Sequence, residues 1–153
     1  MIRRAEPKDT ARVLHILEQV NRVHHALRPD LFNLATKYSA EALHAVFADD
    51  RTPVFVYEAD GVVCGYIFTV LLDHGGDRML TPVKELYIDD LCVDEHCRGR
   101  GIATALYRHT VGYARQRGCH NVTLNVWEGN SGAMAFYRKM GMQTQKTKLE
   151  TVL

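Results

Sequence analysis

The sequence has few cysteines and no long apolar run. None of its four cysteines forms a Cys-X-X-Cys pair. The longest apolar stretch, Val62–Leu72, is interrupted by Gly65 and Thr69 and is too short to span a bilayer. The first seven residues contain no apolar segment typical of a signal peptide. We therefore expect one cytoplasmic domain over residues 1–153, with reduced thiols and no membrane partner.

A strong net charge is also absent. The chain carries 19 basic and 18 acidic side chains, a formal net charge of +1. This balance argues against a general nucleic-acid binder, so no nucleic-acid partner is expected. The distribution is uneven, however, because residues 96–127 contain arginines and no acidic side chain. A nearly neutral total therefore leaves room for a local anion site.

Hydrophobic periodicity predicts alternating helices and strands. Apolar residues at helical spacing run from Pro7 to about His25, and Ser39 is expected to cap a second helix. Asp60 and Gly61 form a strong hairpin signal in a β-rich middle section. The hairpins and later crossovers predict an α/β (α+β) fold with a mixed sheet. The remaining expected elements are strands Ile2–Ala5, Pro53–Ala59, Val62–Leu72, Pro82–Val93 and Asn121–Trp127, helices Ile102–Gln116 and Ser131–Met140, and a final extended segment, Met142–Val152.

A glycine-rich turn follows the long Pro82–Val93 strand. Gly99 and Gly101 allow the backbone to approach an anion closely, and the next helix offers free N–H groups at its start. Two arginines, at positions 98 and 100, add positive charge there. The alternative is a surface loop with two solvated arginines. A Walker loop would need Gly-Lys-Ser/Thr, and a dinucleotide fingerprint would need a third glycine in place of Thr104.

Two motifs in this half of the chain resemble those of one enzyme family. The pattern Arg-X-X-Gly-X-Ala over Arg98–Ala103, after a Leu-X-Val strand, resembles the acetyl-CoA-binding motif of the GNAT superfamily of N-acetyltransferases. The later run Asn125–Gly141, with its Phe-Tyr pair, is similar to a second motif of that family. The resemblance covers nearly the whole chain. It implies a GNAT fold, in which a mixed, mostly antiparallel central sheet opens into a V and is flanked by about four helices.

The resemblance also implies which residues bind acetyl-CoA as co-substrate. The pantetheine arm would pair with backbone groups of Leu91, Cys92 and Val93 in the opening of the sheet. Asn130 matches a position that contacts the cofactor, and Ser131 is expected to cap the last helix. The pyrophosphate would lie on the amides of Arg98, Gly99, Arg100, Gly101, Ile102 and Ala103.

Tyr137 matches the general acid of the family, which protonates the departing CoA thiolate. The chemistry is suitable, because a phenol has a reference pKa of about 10 and a thiol one of about 8.5. The alternative is a core aromatic beside Phe136.

The sequence offers three carboxylates as candidates for the general base and does not decide between them. The strand Tyr87–Val93 resembles a segment of polyamine N-acetyltransferases, in which Asp89 replaces a glutamate that relays the proton and Asp90 replaces its neighbour. Strand alternation puts Asp89 and Asp90 on opposite faces of the sheet unless a β-bulge redirects one of them. Glu85 is a third candidate, and partnering nearby arginines is the structural alternative for all three. Ribosomal-protein-type relatives carry a glutamate where this chain has Asn125.

The resulting prediction is an acetyl-CoA-dependent N-acetyltransferase in which a primary amine attacks the thioester directly. The expected acceptor is a small cationic or polyamine-like molecule. A peptide or protein amine and an aminoglycoside are the alternatives, as is a non-catalytic CoA-binding module. Neither a cysteine nucleophile nor a metal is expected, because the histidines show no convincing ligand spacing. Residues 143–153 are polar enough to form a sheet edge, so a homodimer is possible.

Overall fold

A five-stranded sheet forms the centre of the molecule, and the computed structural model describes all residues, 1–153. Its strands lie side by side in chain order. The first four are antiparallel, whereas the fifth runs parallel to the fourth, so the predicted mixed, mostly antiparallel sheet is confirmed. The strands are β1 (Ile2–Arg4), β2 (Val54–Ala59), β3 (Val62–Asp73), β4 (Lys84–Val93) and β5 (Asn121–Leu124).

Four α-helices cover the two faces of the sheet, as expected for this fold class. They are α1 (Thr10–Leu27), α2 (Ala40–Ala48), α3 (Ile102–Gln116) and α4 (Ser131–Lys139). Short 3-10 turns at Pro7–Asp9 and Glu95–Cys97 precede α1 and α3. None of the helices is both long and apolar enough to cross a lipid bilayer.

Strand β3 is buried on both faces, which explains its nearly continuous apolar sequence. Tyr66 and Phe68 pack on the face covered by α1 and α2, where Ile16 is fully buried. Ile67 lies on the opposite face with Leu106 of α3. We call the first face, which carries α1 and α2, the acceptor face.

The backbone geometry confirms the predicted hairpin and the predicted cap of α2, but the cap of α4 is a different residue from the one predicted. Asp60 and Gly61 both have positive φ, +50° and +76°, as the tight turn between β2 and β3 requires. Ser39 caps α2 by accepting a hydrogen bond from the Ala42 amide at 3.1 Å. The expected cap Ser131 is instead the first residue of α4, and Asn130 is the cap because its Oδ1 accepts from the Ala133 amide at 3.2 Å.

The end of the chain differs from the expected strand pattern. Strand β5 ends at Leu124, three residues before the expected Trp127. Residues 142–153 form no strand of the sheet. The sheet therefore ends at β5, and the predicted homodimer remains a prediction.

Candidate active site

The sheet opens between β4 and β5 after only four paired residues on each strand. Glu85–Ile88 pair with Asn121–Leu124, and beyond them residues 89–93 of β4 have no partner on that side. We call the space between residues 89–93 and residues 125–127 the gap. The V-shaped opening expected from the sequence is therefore present, and it begins where the two aspartates stand.

A β-bulge begins at the same point. Phe68 of β3 pairs with Asp90, whereas its neighbour Thr69 pairs with Ile88, so Asp89 is the extra residue of β4. Ile88 and Leu91 on either side of the bulge both pack toward α3. The two aspartates between them therefore project to the acceptor face together, which simple alternation would not allow.

Asp90 lies in a partly buried position against the neighbouring strand. The hydroxyl of Tyr66 donates a 2.6 Å hydrogen bond to its Oδ2. Burial raises the pKa of Asp90 to about 6, although the Tyr66 hydrogen bond and the charge of Lys37 act in the opposite direction. A carboxyl group with a pKa of about 6 is available as a base near neutral pH.

Asp89 has a cationic partner that sequence reasoning missed. The ammonium of Lys37, from the loop between α1 and α2, donates a hydrogen bond to Asp89 Oδ2. Burial lowers the pKa of Lys37, but the bond and charge of Asp89 outweigh it, so the net shift is upward and Lys37 stays charged. The contact joins residues 52 positions apart, so neither periodicity nor a local motif could have indicated it.

Glu85 is separated from this pair and already engaged. It lies at the closed end of the β4–β5 pairing, where His74 Nε2 contacts its Oε2 at 2.9 Å and Thr123 donates to its other oxygen. Burial raises the pKa of Glu85, but these hydrogen bonds lower it by a larger amount, so the net shift is downward. Such a carboxylate is a weaker base than Asp90, and it faces a different part of the sheet edge.

Tyr137 approaches the gap from α4. Its ring packs against Phe136 and Tyr107, with centroids 5.1 and 6.3 Å away, and its hydroxyl has no hydrogen-bond partner within the chain. Burial raises the pKa of Tyr137, and the nearby charge of Asp90 raises it further. The phenol is therefore protonated at neutral pH.

The open edge of β4 supplies free backbone groups to the gap. The Asp94 amide donates to the Cys64 carbonyl of β3 at 2.9 Å, and successive residues in an antiparallel ladder turn to opposite sides. Val93 and Leu91 therefore direct their backbone groups into the gap, where Arg98 Nε already donates to the Val93 carbonyl at 3.3 Å. By the same alternation Cys92 turns its backbone groups toward β3, where it lies opposite Tyr66, and its contact with the cofactor stays a prediction.

The side chain of Cys92 belongs to the core. It is buried on the acceptor face, and burial raises the pKa of the thiol to about 12. A thiol with that pKa carries almost no thiolate at neutral pH and is a poor nucleophile.

The glycine-rich turn before α3 has the geometry of an anion cradle. Gly99 and Gly101 have φ of +77° and +74°, and nothing lies within 4 Å of where a Cβ would be. The first hydrogen bond of α3 runs from the Ala105 amide to the Gly101 carbonyl, which leaves the preceding helix amides without a backbone partner. A pocket of about 190 Å³ opens beside the turn. Its lining residues are Val93, Cys97, Arg98, Gly99, Gly101, Ile102, Ala103, Thr104 and Phe136.

The other residues that we expect to bind the cofactor at the turn differ in solvent exposure. Arg98 and Arg100 are exposed at its rim, whereas Ile102 is buried and anchors the start of α3 in the core. Asn130 uses its carbonyl oxygen as the α4 cap, so its amide nitrogen remains free to donate. Free amides, two cationic side chains and an open backbone fit a pyrophosphate group.

The loop between α1 and α2 (residues 28–39) covers the gap on the acceptor face. Phe32 contacts the ring of Trp127 edge-on, with centroids 5.4 Å apart. His25 Nδ1 contacts the Phe32 carbonyl at 2.6 Å, and Arg28 lies over the Trp127 ring at 5.9 Å. The loop thus connects the segment after β5 with the bulge in β4 and covers this side of the gap.

No metal centre accompanies this arrangement. Nowhere does the chain bring three or more His, Cys, Asp or Glu side chains together in a way that could hold a metal ion.

The chain is similar in sequence to acetyltransferases. A sequence profile of the acetyltransferase (GNAT) family matches residues 20–142. The chain is 33% identical over 97 residues to an uncharacterised N-acetyltransferase of Methanocaldococcus jannaschii, covering 63% of this chain and 42% of that protein. It is 37% identical over 94 residues to streptothricin acetyltransferase of Streptomyces lavendulae, covering 61% and 45%. The chain therefore spans less than half the length of either curated relative.

A solved structure matches over the full length. A point mutant of a Bacillus halodurans protein superposes with a TM-score of 0.95 at 28% identity, covering 100% of this chain and 99% of the other. The profile spans most of the sequence, and the splayed sheet and glycine turn are those that the motifs implied. This chain belongs to the acetyltransferase (GNAT) family.

Proposed function

We propose that this protein transfers the acetyl group of acetyl-CoA to a primary amine of a small molecule. The observation that carries the proposal is the pair of groups at the opening of the sheet. Asp90 lies at the bulge where the sheet opens and has a pKa of about 6, and Tyr137 of α4 keeps a protonated phenol because burial, and then the charge of Asp90, raise its pKa. One is a base and the other an acid at neutral pH, as aminolysis of a thioester requires.

Acetyl-CoA would lie along the open edge of β4 and on the glycine turn. It supplies an activated acetyl thioester when bound. The backbone groups of Leu91 and the amide of Val93 would hold the pantetheine arm as an added strand would, since the Val93 carbonyl already accepts from Arg98. The turn from Arg98 to Ala103 would hold the pyrophosphate through amides and two cations, and Asn130 has a free amide nitrogen to contribute.

In the proposed chemistry Asp90 accepts a proton from the acceptor ammonium. Deprotonation gives the amine the lone pair that attacks the acetyl carbonyl carbon, after which the carbon–sulfur bond breaks. Tyr137 donates its proton to the leaving sulfur. The attacking nitrogen still carries one extra proton, and its transfer to the Tyr137 phenolate leaves the neutral amide and restores the phenol, while Asp90 releases its proton to solvent. Attack is direct, and the elevated pKa of Cys92 supports a route without an acyl-enzyme.

The acceptor enters, in this proposal, from the acceptor face beside residues 28–39. Its chemistry is that of a small cationic amine, since two aspartates face that side. The similarity to streptothricin acetyltransferase favours an amine-bearing antibiotic, such as an aminoglycoside, as the second candidate. A homodimer and a cytoplasmic location also remain proposals.

The test is thiol release from acetyl-CoA with a panel of polyamines, monoamines, amino acids, peptides and aminoglycosides. We expect release with at least one small primary amine and a loss of about 10²- to 10⁴-fold in kcat/KM on Asp90→Asn. Glu85→Gln is the matched control and should retain most activity. Acetyl-CoA binding without thiol release for any amine would contradict the proposal and favour a non-catalytic CoA-binding module.

A further inference from the structure

The ion pair between Lys37 and Asp89 has no part in the proposed chemistry, yet it lies directly beside the proposed base. Asp89 and Asp90 are consecutive residues of the bulge and face the same side. Lys37 belongs to a different part of the chain, so the pair spans the acceptor face between its covering loop and the sheet. Any amine that reaches Asp90 would approach through the field of this pair.

The backbone beside Lys37 is anchored by its neighbour Tyr38, whereas the Lys37 side chain itself is exposed. The neighbouring Tyr38 ring stacks on Phe68 of β3, with centroids 5.6 Å apart and an interplanar angle of 8°. Phe68 pairs with Asp90 across the sheet. The Lys37 ammonium lies 5.5 Å from the Tyr38 ring centroid. Lys37 is therefore anchored through Tyr38 to β3, at the residue that lies opposite Asp90 of β4.

Three charged groups meet at the bulge in β4. The anions are Asp89 and, once ionised, Asp90, and the cation is Lys37. His24 adds no charge, because burial and Lys37 both lower its pKa. The other titratable neighbours, Tyr38 and Tyr87, have raised pKa values, first through burial, and are neutral. Asp89, ionised Asp90 and Lys37 together carry a net charge of −1, and the two aspartates alone would carry −2.

We propose that Lys37 determines acceptor specificity by neutralising Asp89, so that the site prefers amines with one positive charge over diamines and polyamines of the same length. This inference rests on the proposed function, since it assumes that the acceptor amine binds beside Asp90. A monocation satisfies the single unpaired carboxylate. The second ammonium of a diamine finds no free anion, and it meets the Lys37 charge when it bends toward the bulge.

The inference narrows the acceptor expected from the sequence. Two adjacent aspartates favour a polyamine as long as both are free. With Asp89 occupied by an internal lysine, the same pair of residues favours a monoamine.

The test compares 1-aminohexane and 1,6-diaminohexane, which have the same chain length and differ in one terminal charge. Their Kd values for the CoA-loaded protein are measured by titration calorimetry. For the wild type, the Kd of the diamine should be higher than that of the monoamine, although the two equivalent ends of the diamine favour it by a statistical factor of about two. Lys37→Met should raise the affinity of the diamine relative to the monoamine by about tenfold, because Asp89 becomes available.

Two further variants isolate the charge. Lys37→Arg keeps the ion pair and should keep the wild-type ratio, and Lys37→Met with Asp89→Asn restores a net charge of −1 and should return the ratio to the wild-type value. Lys8→Met is the matched control, since Lys8 pairs with Glu6 at 2.8 Å on an exposed surface away from the gap. Circular dichroism checks that each variant is folded.

The outcomes separate this inference from the proposed function. An unchanged ratio in Lys37→Met, or a ratio that Asp89→Asn does not reverse, overturns the role of Lys37. Failure of both amines to bind any of the proteins overturns it as well. Thiol release from acetyl-CoA is measured in parallel, and a shifted binding ratio without any release would contradict the proposed transfer while leaving the specificity role intact.

Discussion

The phenol of Tyr66 on β3 donates a 2.6 Å hydrogen bond to Asp90 on β4, directly at the bulge where the sheet opens. Tyr66 is fully buried, so the donor cannot turn away toward water. The bond stabilises the ionised form of Asp90 and holds its pKa below the value that burial alone would give. Tyr66 is in this sense a positioning residue for the proposed base.

Tyr66→Phe should move the acidic limb of the pH–rate profile upward. Without the bond the pKa of Asp90 rises from about 6, and a higher pH is then needed to ionise the base. A shift of about one pH unit in kcat/KM is expected, since a hydrogen bond to a charged group contributes about 1.5–3 kcal/mol and is only partly lost. The measurement is thiol release between pH 5 and 8. Tyr113→Phe on α3 is the control, and a shift of the same size there would argue against the Tyr66 role.

Asp90→Asn should stabilise the protein at neutral pH. The pKa of Asp90 is raised from its ordinary 3.8 to about 6, so the folded state binds its proton more tightly than the unfolded chain does. Stability therefore falls as pH rises from about 4 to 6, where the carboxyl ionises at a cost to the folded state. Removing that charge should add about 1–2 kcal/mol to the free energy of unfolding at pH 7.5, less than the full shift implies because the carboxyl is partly exposed.

Urea unfolding of wild type and Asp90→Asn at pH 7.5 and at pH 4 measures this difference. The stabilisation should be largely lost at pH 4, where wild-type Asp90 is protonated. Equal stabilisation at both pH values would mean that packing, not charge, explains the effect.

The hairpin and the glycine turn follow from local sequence, whereas the opening of the sheet is expected only from the resemblance to the GNAT motifs. Asp60-Gly61 and Gly99-X-Gly101 need positive φ, and glycine with its neighbours signals that need directly. The sequence could indicate that a β-bulge would change the orientation of one aspartate, but not whether the bulge is present. Its presence depends on the register between β4 and β3, and β3 is distant in sequence. Simple alternation would place Asp89 and Asp90 on opposite faces of the sheet. Because Asp89 is the extra residue of the bulge, both carboxylates lie on the acceptor face.

Contacts between distant segments could not be read from the sequence. Lys37 lies in a loop without periodicity, and its partner Asp89 is 52 residues away. The end of β5 at Leu124 could not be predicted for the same reason. Its pairing with β4 stops at Ile88, next to the bulge, which depends on contacts between distant segments. An extended segment after Met142 is a prediction from propensity alone, and that segment forms no strand of the sheet.

Gly65→Ala should destabilise the fold because β3 and β4 approach closely at this position. An added Cβ would lie 2.9 Å from the Cys92 carbonyl oxygen and 3.3 Å from Ile102. A backbone atom cannot move aside as a flexible side chain would, so a loss of about 1–3 kcal/mol is expected. Gly112→Ala in α3 is the matched control, since nothing lies within 4 Å there and alanine favours helix by about 1 kcal/mol. Thermal unfolding of both variants should give opposite signs, and a neutral Gly65→Ala would contradict the close approach.

Tyr137→Phe should lower kcat while leaving acetyl-CoA binding nearly unchanged. The substitution keeps the ring that packs on Tyr107 and Phe136 and removes only a hydroxyl that has no partner within the chain. If that hydroxyl protonates the leaving thiolate, kcat should fall by about 10²-fold or more, with the Kd for acetyl-CoA within about a factor of two. Tyr107→Phe is the control, because its ring adjoins Tyr137 in the same cluster and it has no proposed chemical role. A kcat that survives Tyr137→Phe would make Tyr137 a core aromatic, and a matching loss in Tyr107→Phe would attribute the effect to packing.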